Sequence, residues 1–255
     1  ELHDQLPMTT AYVRSVLEEL GIPYNVYSNS GIRAVIECCE GDKAIAFRAD
    51  MDALPVTEET GLPFESEHKG CMHACGHDAH TAMLLGAAKV LLPYKKQLKG
   101  KIVLLFQPAE ETSGGAKIMI EEGCLKDPDV NMLVNFHAGR LFPGIKNGQV
   151  GWKKGAVMAS VDTFNVTVHG KGGHGAYPDE CIDPIPIACQ MILALQNIIS
   201  REIKPTHGAV ITTGELNAGT LVNVIPDTAA FGGTILTLDP ADREKVCARM
   251  EEVFR

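Results

Sequence analysis

Three short runs of the chain are apolar at nearly every position, and they limit what the chain can fold into. They span residues 44–47, 102–106 and 130–136. Continuous apolar runs of this length are typical of strands buried on both faces, as in a parallel sheet between helices. Helical patterns at residues 80–92 and 116–122 lie between the runs. This alternation predicts an α/β domain with a mostly parallel central sheet between helices.

A further helix is predicted before the first run. Thr9 or Thr10 can cap its start, and Gly21 supplies the C′ position after its end. Its apolar stripe consists of Tyr12, Val13, Val16, Leu17 and Leu20.

The pattern changes near residues 151–155. Residues 162–169 alternate apolar and polar side chains, which is typical of a strand with one buried face. A helix, two strands and a last helix follow, at Pro184, residues 209–216, residues 228–238 and Asp239-Pro240. The order β-α-β-β-α predicts a smaller α+β, ferredoxin-like domain that lacks its closing strand. We therefore divide the chain into residues 1–154 and residues 155–255.

Composition limits the partners and the compartment. The net charge is −9, from 23 basic and 32 acidic residues, which argues against binding to nucleic acid. No apolar run approaches the roughly 20 residues that cross a bilayer, and no leader pattern opens the sequence. The eight cysteines are about 3% of the chain, too few for a disulfide scaffold. These features predict free thiols and a cytoplasmic location, without membrane contact.

Acidic and histidine side chains follow the three apolar runs. Asp52 lies after the first run, Glu110 and Glu111 after the second, and His137 directly after the third. Ligands of open α/β sheets bind at the carboxyl ends of the strands, so we expect these side chains to converge. One of the two adjacent glutamates can bind a metal while the other stays free as a general base. The alternative is an acidic loop in solvent.

The segment between the first two runs, residues 71–80, holds two cysteines and three histidines. If it is extended, Cys75 and His77 point to the same side. Thiolate, imidazole and carboxylate are donors that Zn²⁺ accepts. A redox or zinc-knuckle cluster and a helix start with polar caps are the alternatives, although the chain lacks a partner Cys-x-x-Cys pair for a knuckle.

Two residues of the second domain each have two possible interpretations. His174 lies between glycines that allow close approach of the backbone to a ligand, so it can donate to a developing oxyanion or lie in a surface turn. Asn223 can contact substrate or be an ordinary loop amide.

Four segments resemble the M20 metallopeptidase family, in the branch of aminoacylases, hippurate hydrolases and auxin-conjugate hydrolases. They are FRADMDALP at 47–55, MHACGHDAHT at 72–81, PAEE at 108–111 and GHGAYP at 173–178. The resemblance implies a catalytic domain that binds two divalent metals and an inserted lid domain that often forms a homodimer. It also implies a longer chain, in which the catalytic domain resumes after the lid and supplies one more histidine ligand.

The resemblance assigns a role to each matching residue. Cys75 corresponds to a bridging ligand, and the further ligands are His77, Glu111 and His137. Glu110 corresponds to the general acid/base, and Asp52 to the carboxylate that orients His77. In the lid, His174 corresponds to a histidine that reaches the substrate, often in the partner subunit's site, and Asn223 to a residue near the substrate.

The function predicted in this way is metal-dependent hydrolysis of the amide bond of N-acyl amino acids or short peptides. Two bound metals would supply a bridging hydroxide as the nucleophile, and Glu110 would activate it. Zinc is the first choice of metal, and manganese, cobalt and nickel accept the same donors. Two alternatives remain: a hydrolase with Cys75 as nucleophile and His77 as base, and a metal-binding or dimerising protein with an incomplete site and no turnover.

Overall fold

The structure is a computed structural model that describes residues 1–112, 114–139 and 144–255. These residues form two compact units, Glu1–Gln149 and Val150–Arg255, whereas the sequence places the boundary after residue 154. Within the described ranges, no helix has the length and apolar character needed to cross a bilayer.

The first unit is built on one mixed sheet with helices on both faces. Its elements are α1 Pro7–Glu19, β1 Tyr24–Val26, β2 Ile32–Glu37, β3 Cys39–Asp50, α2 His77–Leu91, β4 Lys99–Gln107, α3 Gly115–Glu121 and β5 Met132–Asn135. The strand order is β1-β2-β4-β3-β5, and among these described strands only β2 runs opposite to the others. The predicted α/β class with a mostly parallel sheet is confirmed.

Strand β4 carries side chains into both faces of the sheet. Ile102, Leu104 and Phe106 pack in the cluster that contains the buried side chains of α1 and α2. Val103 and Leu105 alternate with them and pack with Met119 of α3. Because successive side chains point to opposite faces, a continuous apolar run is what a strand between two helix layers requires. The strand ends that carry the polar side chains are therefore held by two cores.

The start of α1 differs from the predicted threonine cap. The helix begins at Pro7, and neither Thr9 nor Thr10 caps it. Instead, the carboxylate of Glu1 accepts hydrogen bonds from the amides of Met8 and Thr9. Proline has no N–H to satisfy and a φ suited to the first turn, so the helix starts earlier than the threonines. Its end is as predicted, with Gly21 at a φ of +65°.

Strand β5 is more exposed than its apolar sequence predicts. The sequence predicts burial on both faces, but Met132 is 60% and Leu133 46% exposed. Within the described chain, β5 is an edge strand that pairs only with β3. Burial on both faces needs neighbours that this edge position does not supply.

The second unit is an antiparallel sheet with two helices. Its elements are β6 Ser160–His169, β7 Gly173–His174, α4 Pro184–Asn197, β8 Ala209–Ala218, β9 Val224–Ile225, β10 Thr228–Thr237 and α5 Pro240–Val253. The order β6-β10-β8 is the predicted split β-α-β arrangement. Asp183 and Asp239 cap the two helices through the amides of Ile185 and Ala241. The small sheet β7–β9 is additional to the prediction.

Candidate metal site

Two groups of potential metal ligands meet at the carboxyl ends of β3, β4 and β5. One consists of Cys75, His77 and His137, and the other of His77, Glu110 and Glu111. The donor atoms within each group lie within 4.8 Å of one another. His77 belongs to both groups. The structure therefore brings the predicted ligands and Glu110 together around one histidine.

The turn before α2 explains how Cys75 and His77 converge. Gly76 is the N-cap residue with a φ of +81°, and His77 is the first residue of the helix. The segment is therefore not extended between the two ligands, because a glycine in the left-handed region turns the chain there. Cys75 Sγ lies 3.3 Å from Nε2 of His137, which is 62 positions further along the chain.

Asp52 connects the two groups. Its carboxylate is buried, and Oδ1 lies 3.3 Å from Nδ1 of His77. The amides of Glu110 and Glu111 each donate a hydrogen bond to the same carboxylate, at 3.1 Å. One side chain thus orients the shared histidine and fixes the backbone of both glutamates.

A divalent metal fits the polar atoms that the fold leaves without partners. Within the described ranges, His77 Nε2 and Glu111 Oε1 are buried and form no hydrogen bond, and they lie 3.7 Å apart. A buried polar atom without a partner costs about 1–3 kcal/mol, so such atoms are rare unless they bind something. Sulfur, imidazole nitrogen and carboxylate oxygen together are donors for Zn²⁺ and related ions.

The two adjacent glutamates differ in their surroundings. The side chain of Glu110 is 40% exposed, whereas that of Glu111 is 21% exposed. Oε2 of Glu110 lies 4.0 Å from His77 Nε2, slightly further than Oε1 of Glu111. Burial, and then the negative charge of Glu111, raise the pKa of Glu110.

Other pKa values in the site follow from burial and from the local charges. Burial, followed by the charge of Glu111, raises the pKa of the Cys75 thiol to about 12. For Asp52, burial opposes ionisation, but the close contact with His77 and the hydrogen bonds from the two glutamate amides outweigh it and lower the pKa. For His77, burial opposes the charged form, but Asp52 and then Asp50 outweigh it and raise the pKa.

Two buried residues beside the site were not assigned by the sequence analysis. Asp50 ends β3 and lies 2.5 Å from Nδ1 of His80, which faces inward from α2. Arg48 donates to the other oxygen of Asp50 at 2.8 Å. Their presence in the segments FRADMDALP and MHACGHDAHT was a signal, but the contacts between these segments are not visible in the sequence.

The second unit holds the other two predicted site residues together. His174 of β7 pairs with Val224 of β9, and the amide of Gly175 donates to the carbonyl of Asn223 at 2.9 Å. His174 is exposed, and its Nδ1 accepts a hydrogen bond from the amide of Ala176. The proton of a neutral His174 is therefore on Nε2, where it can be donated to a ligand.

Comparisons with known proteins identify relatives of the chain. The chain is 48% identical over 242 residues to N-acetyl-L-cysteine deacetylase of Bacillus subtilis, covering 94% of this chain and 57% of that protein. It is 42% identical over 239 residues to hippurate hydrolase of Campylobacter jejuni, covering 92% of this chain and 61% of that protein. The chain thus spans less than two thirds of the length of these relatives.

A solved structure gives the same result for the fold. A dinuclear metal-binding peptidase of the M20 family from Bacillus subtilis superimposes with a TM-score of 0.82 at 39% identity, over 100% of this chain and 65% of that one. The model of peptidase family M20/M25/M40 matches residues 46–245, which include every candidate ligand. By its sequence and its fold, the chain belongs to peptidase family M20/M25/M40.

Proposed function

We propose that the protein is a metal-dependent amidohydrolase that cleaves the amide bond of N-acyl amino acids or short peptides. The observation that carries this proposal is the pair of ligand groups that share His77, beside the partly exposed carboxylate of Glu110. Relatives named N-acetyl-L-cysteine deacetylase and hippurate hydrolase support the substrate class.

Cys75, His77, Glu111 and His137 would hold two divalent ions, with Zn²⁺ preferred and Mn²⁺, Co²⁺ or Ni²⁺ accepted by the same donors. Divalent ions in such a site lower the pKa of water and polarise a substrate carbonyl. Among the residues that the structure describes, Nε2 of His77 and Oε1 of Glu111 have no hydrogen-bond partner, which supports this assignment.

Glu110 acts as the general base and then the general acid. Asp52 holds the backbone of Glu110 in place, and the side chain of Glu110 is exposed to solvent. The carboxylate is therefore positioned by the fold and accessible to water. It takes the proton of the attacking water and passes it to the leaving amine. A positioned acid/base group typically contributes about 10²–10⁴-fold to the rate.

His174 donates a hydrogen bond to the oxyanion. The engaged Nδ1 and the free Nε2–H support this role, and loss of such a donor typically costs about 10²–10³-fold in rate. Asn223 contacts the substrate from the neighbouring strand end.

We further infer a homodimer formed through the second unit, and a cytoplasmic location. The eight free cysteines are compatible with a reducing compartment. The net charge of −9 supports a small-molecule substrate rather than nucleic acid.

A second candidate is a hydrolase in which Cys75 is the nucleophile. The 3.3 Å contact with His137 Nε2 favours it, with His137 rather than the expected His77 as the base. The raised pKa of Cys75 counts against a thiolate in the absence of metal. Activity that survives chelation but is lost on alkylation would favour this candidate.

The test is Glu110→Gln in the full-length protein, with Glu111→Gln and Glu121→Gln beside it. We expect Glu110→Gln to keep its metal content and lose at least about 10²-fold in hydrolysis of N-acyl amino acids. Glu111→Gln should lose metal, whereas Glu121, which is exposed on α3, should tolerate the change. Full activity of Glu110→Gln would refute its role. Bound metal without turnover on any amide would instead favour the binding or dimerising protein.

A further inference from the structure

We propose that His80 is a positioning residue that fixes the orientation of His137 through the main chain of Ala138. The inference rests on the metal site described under the proposed function, because His137 is one of its ligands. The polar contacts of His80 are with Asp50 and with the main chain of Ala138, not with the donor atom of a ligand. It acts on the residue that follows the ligand.

His80 links the ends of two strands. It lies in α2 and is 3% exposed, and Nδ1 is 2.5 Å from Oδ1 of Asp50 at the end of β3. On the other side of the ring, Nε2 accepts a hydrogen bond of 2.7 Å from the amide of Ala138, which follows β5. Both ring nitrogens are therefore engaged, and they join segments 88 residues apart in the chain.

The donor at Ala138 determines the tautomer of His80. A backbone N–H can only donate, so Nε2 must carry a free lone pair. The ring proton of His80 is then on Nδ1, from which it is donated to Asp50. Arg48 and the hydroxyl of Thr81 hold Asp50 in place, through its carboxylate and its carbonyl respectively. Nε2 of His80, which accepts the hydrogen bond from the Ala138 amide, is therefore held in place through Asp50 at the end of β3.

The same residue, Ala138, controls the ring of His137. Nδ1 of His137 lies 2.7 Å from the carbonyl oxygen of Ala138, to which it donates. This contact leaves Nε2 as the nitrogen that faces Cys75. The ring of His80 also meets the ring of His137 edge to face, with centroids 4.7 Å apart. Both the tautomer and the direction of the ligand thus depend on where Ala138 is held.

The position of His137 explains why a separate anchor is needed. Strand β5 ends at Asn135, so His137 lies beyond the hydrogen-bonded ladder. Phe136, just before it, is 56% exposed, and Met132 and Leu133 of the strand are exposed as well. Helix α2, whose inner face is buried and carries His80, supplies the fixed point that this edge strand does not.

A direct role of His80 as a ligand is less consistent with the contacts. Asp50, His77 and His80 do lie close enough together to form a donor group. However, both nitrogens of His80 already have partners at hydrogen-bond distance. His77 differs, because its Nε2 has no partner within the described residues.

The test compares three substitutions of His80 in the full-length protein. In His80→Asn the short amide can replace Nδ1 and donate to Asp50, whereas in His80→Gln the longer amide can replace Nε2 and accept from Ala138. His80→Phe keeps the ring and removes both contacts. Thr10→Val is the matched control, because it deletes a hydrogen bond from another buried threonine, to the carbonyl of Ser30, and leaves Asp50, His80 and Ala138 unchanged. The readouts are the dissociation constant for Co²⁺ and the Co²⁺ absorption bands, including the thiolate charge-transfer band from Cys75.

We expect His80→Phe and His80→Asn to bind Co²⁺ about 10–100-fold more weakly, with altered d–d bands. His80→Gln should recover most of the affinity, and Thr10→Val should match the wild type. Equal affinity and spectra in His80→Phe and the wild type would overturn the inference, as would His80→Gln being as weak as His80→Asn. The comparison of Asn with Gln decides the matter if His80→Phe does not fold. A wild type that binds no Co²⁺ would refute the proposed metal site itself.

Discussion

Asp52 is the residue on which most of the site depends. It faces Nδ1 of His77 and accepts the amides of Glu110 and Glu111, while almost none of its surface is exposed. Its role beside His77 was predictable from the family resemblance. Its hold on the two amides was not, because those contacts join residues 58 and 59 positions apart.

Asp52→Asn should weaken metal binding although it changes no ligand. The amide NH₂ cannot accept a hydrogen bond, so one backbone N–H of the glutamates loses its partner. We expect metal affinity to fall by about 10–100-fold, measured by competition with a chelating dye. Asp42→Asn, at an exposed position of β3, is the control. Unchanged affinity in Asp52→Asn would contradict the role.

The ion pair between Asp162 and Arg243 makes stability depend on pH. Two hydrogen bonds from Arg243, at 2.5 and 2.6 Å, hold the pKa of Asp162 below its usual value. The pair therefore stabilises the fold above the ordinary pKa of an aspartate, and this contribution is lost as the pH falls through the lowered pKa.

Asp162→Asn should consequently lower Tm near neutral pH, and the difference from the wild type should close in acid. Thermal melts across pH, with the exposed Asp179→Asn as control, test this. A difference that stays constant over the whole pH range would show that the ion pair is not its cause.

At the scale of elements, the start of α2 determines the geometry of the ligands. Gly76 turns the chain so that Cys75 ends the loop and His77 opens the helix. An added Cβ would meet only ordinary contacts, the nearest at 3.5 Å, so the requirement for glycine comes from its φ.

Gly76→Ala should therefore destabilise the first unit by about 1–2 kcal/mol and weaken metal binding. Gly86→Ala is the matched variant in the same helix, where a Cβ meets nothing within 4 Å. It should stabilise by up to about 1 kcal/mol. Chemical denaturation measures both, and equal effects of the two substitutions would contradict the argument.

The strand ends were predictable from sequence because each apolar run and its polar ending are local. The sequence pattern did not indicate strand β2. Its second residue is Arg33, and arginine is normally exposed to solvent. In the fold Arg33 is 7% exposed and donates to the carbonyls of Cys124, Lys126 and Asp127. A buried arginine becomes compatible with a strand only through partners more than 90 residues away. The link from His80 to Ala138 was missed for the same reason.

On the scale of the whole molecule, each unit has its own core. The buried clusters of Glu1–Gln149 and of Val150–Arg255 share no residue. All candidate ligands found beside His77 lie in the first unit. Metal binding should therefore stabilise the first unit directly.

Hydrogen exchange can locate this effect. Adding Zn²⁺ at about 100 times its dissociation constant stabilises the state that binds it by about 2.7 kcal/mol. We expect slower exchange at residues 75–81, 107–112 and 135–138, reversed by chelator. Protection that increases only within residues 150–255 would contradict the site.

The most direct measurement is release of free amino acid from a small panel of N-acyl amino acids by the full-length protein, after removal of metal and after addition of Zn²⁺ or Mn²⁺. We expect no turnover without metal and recovery of turnover with it. Full turnover by the metal-free protein would show that hydrolysis does not need ions held by Cys75, His77, Glu111 and His137.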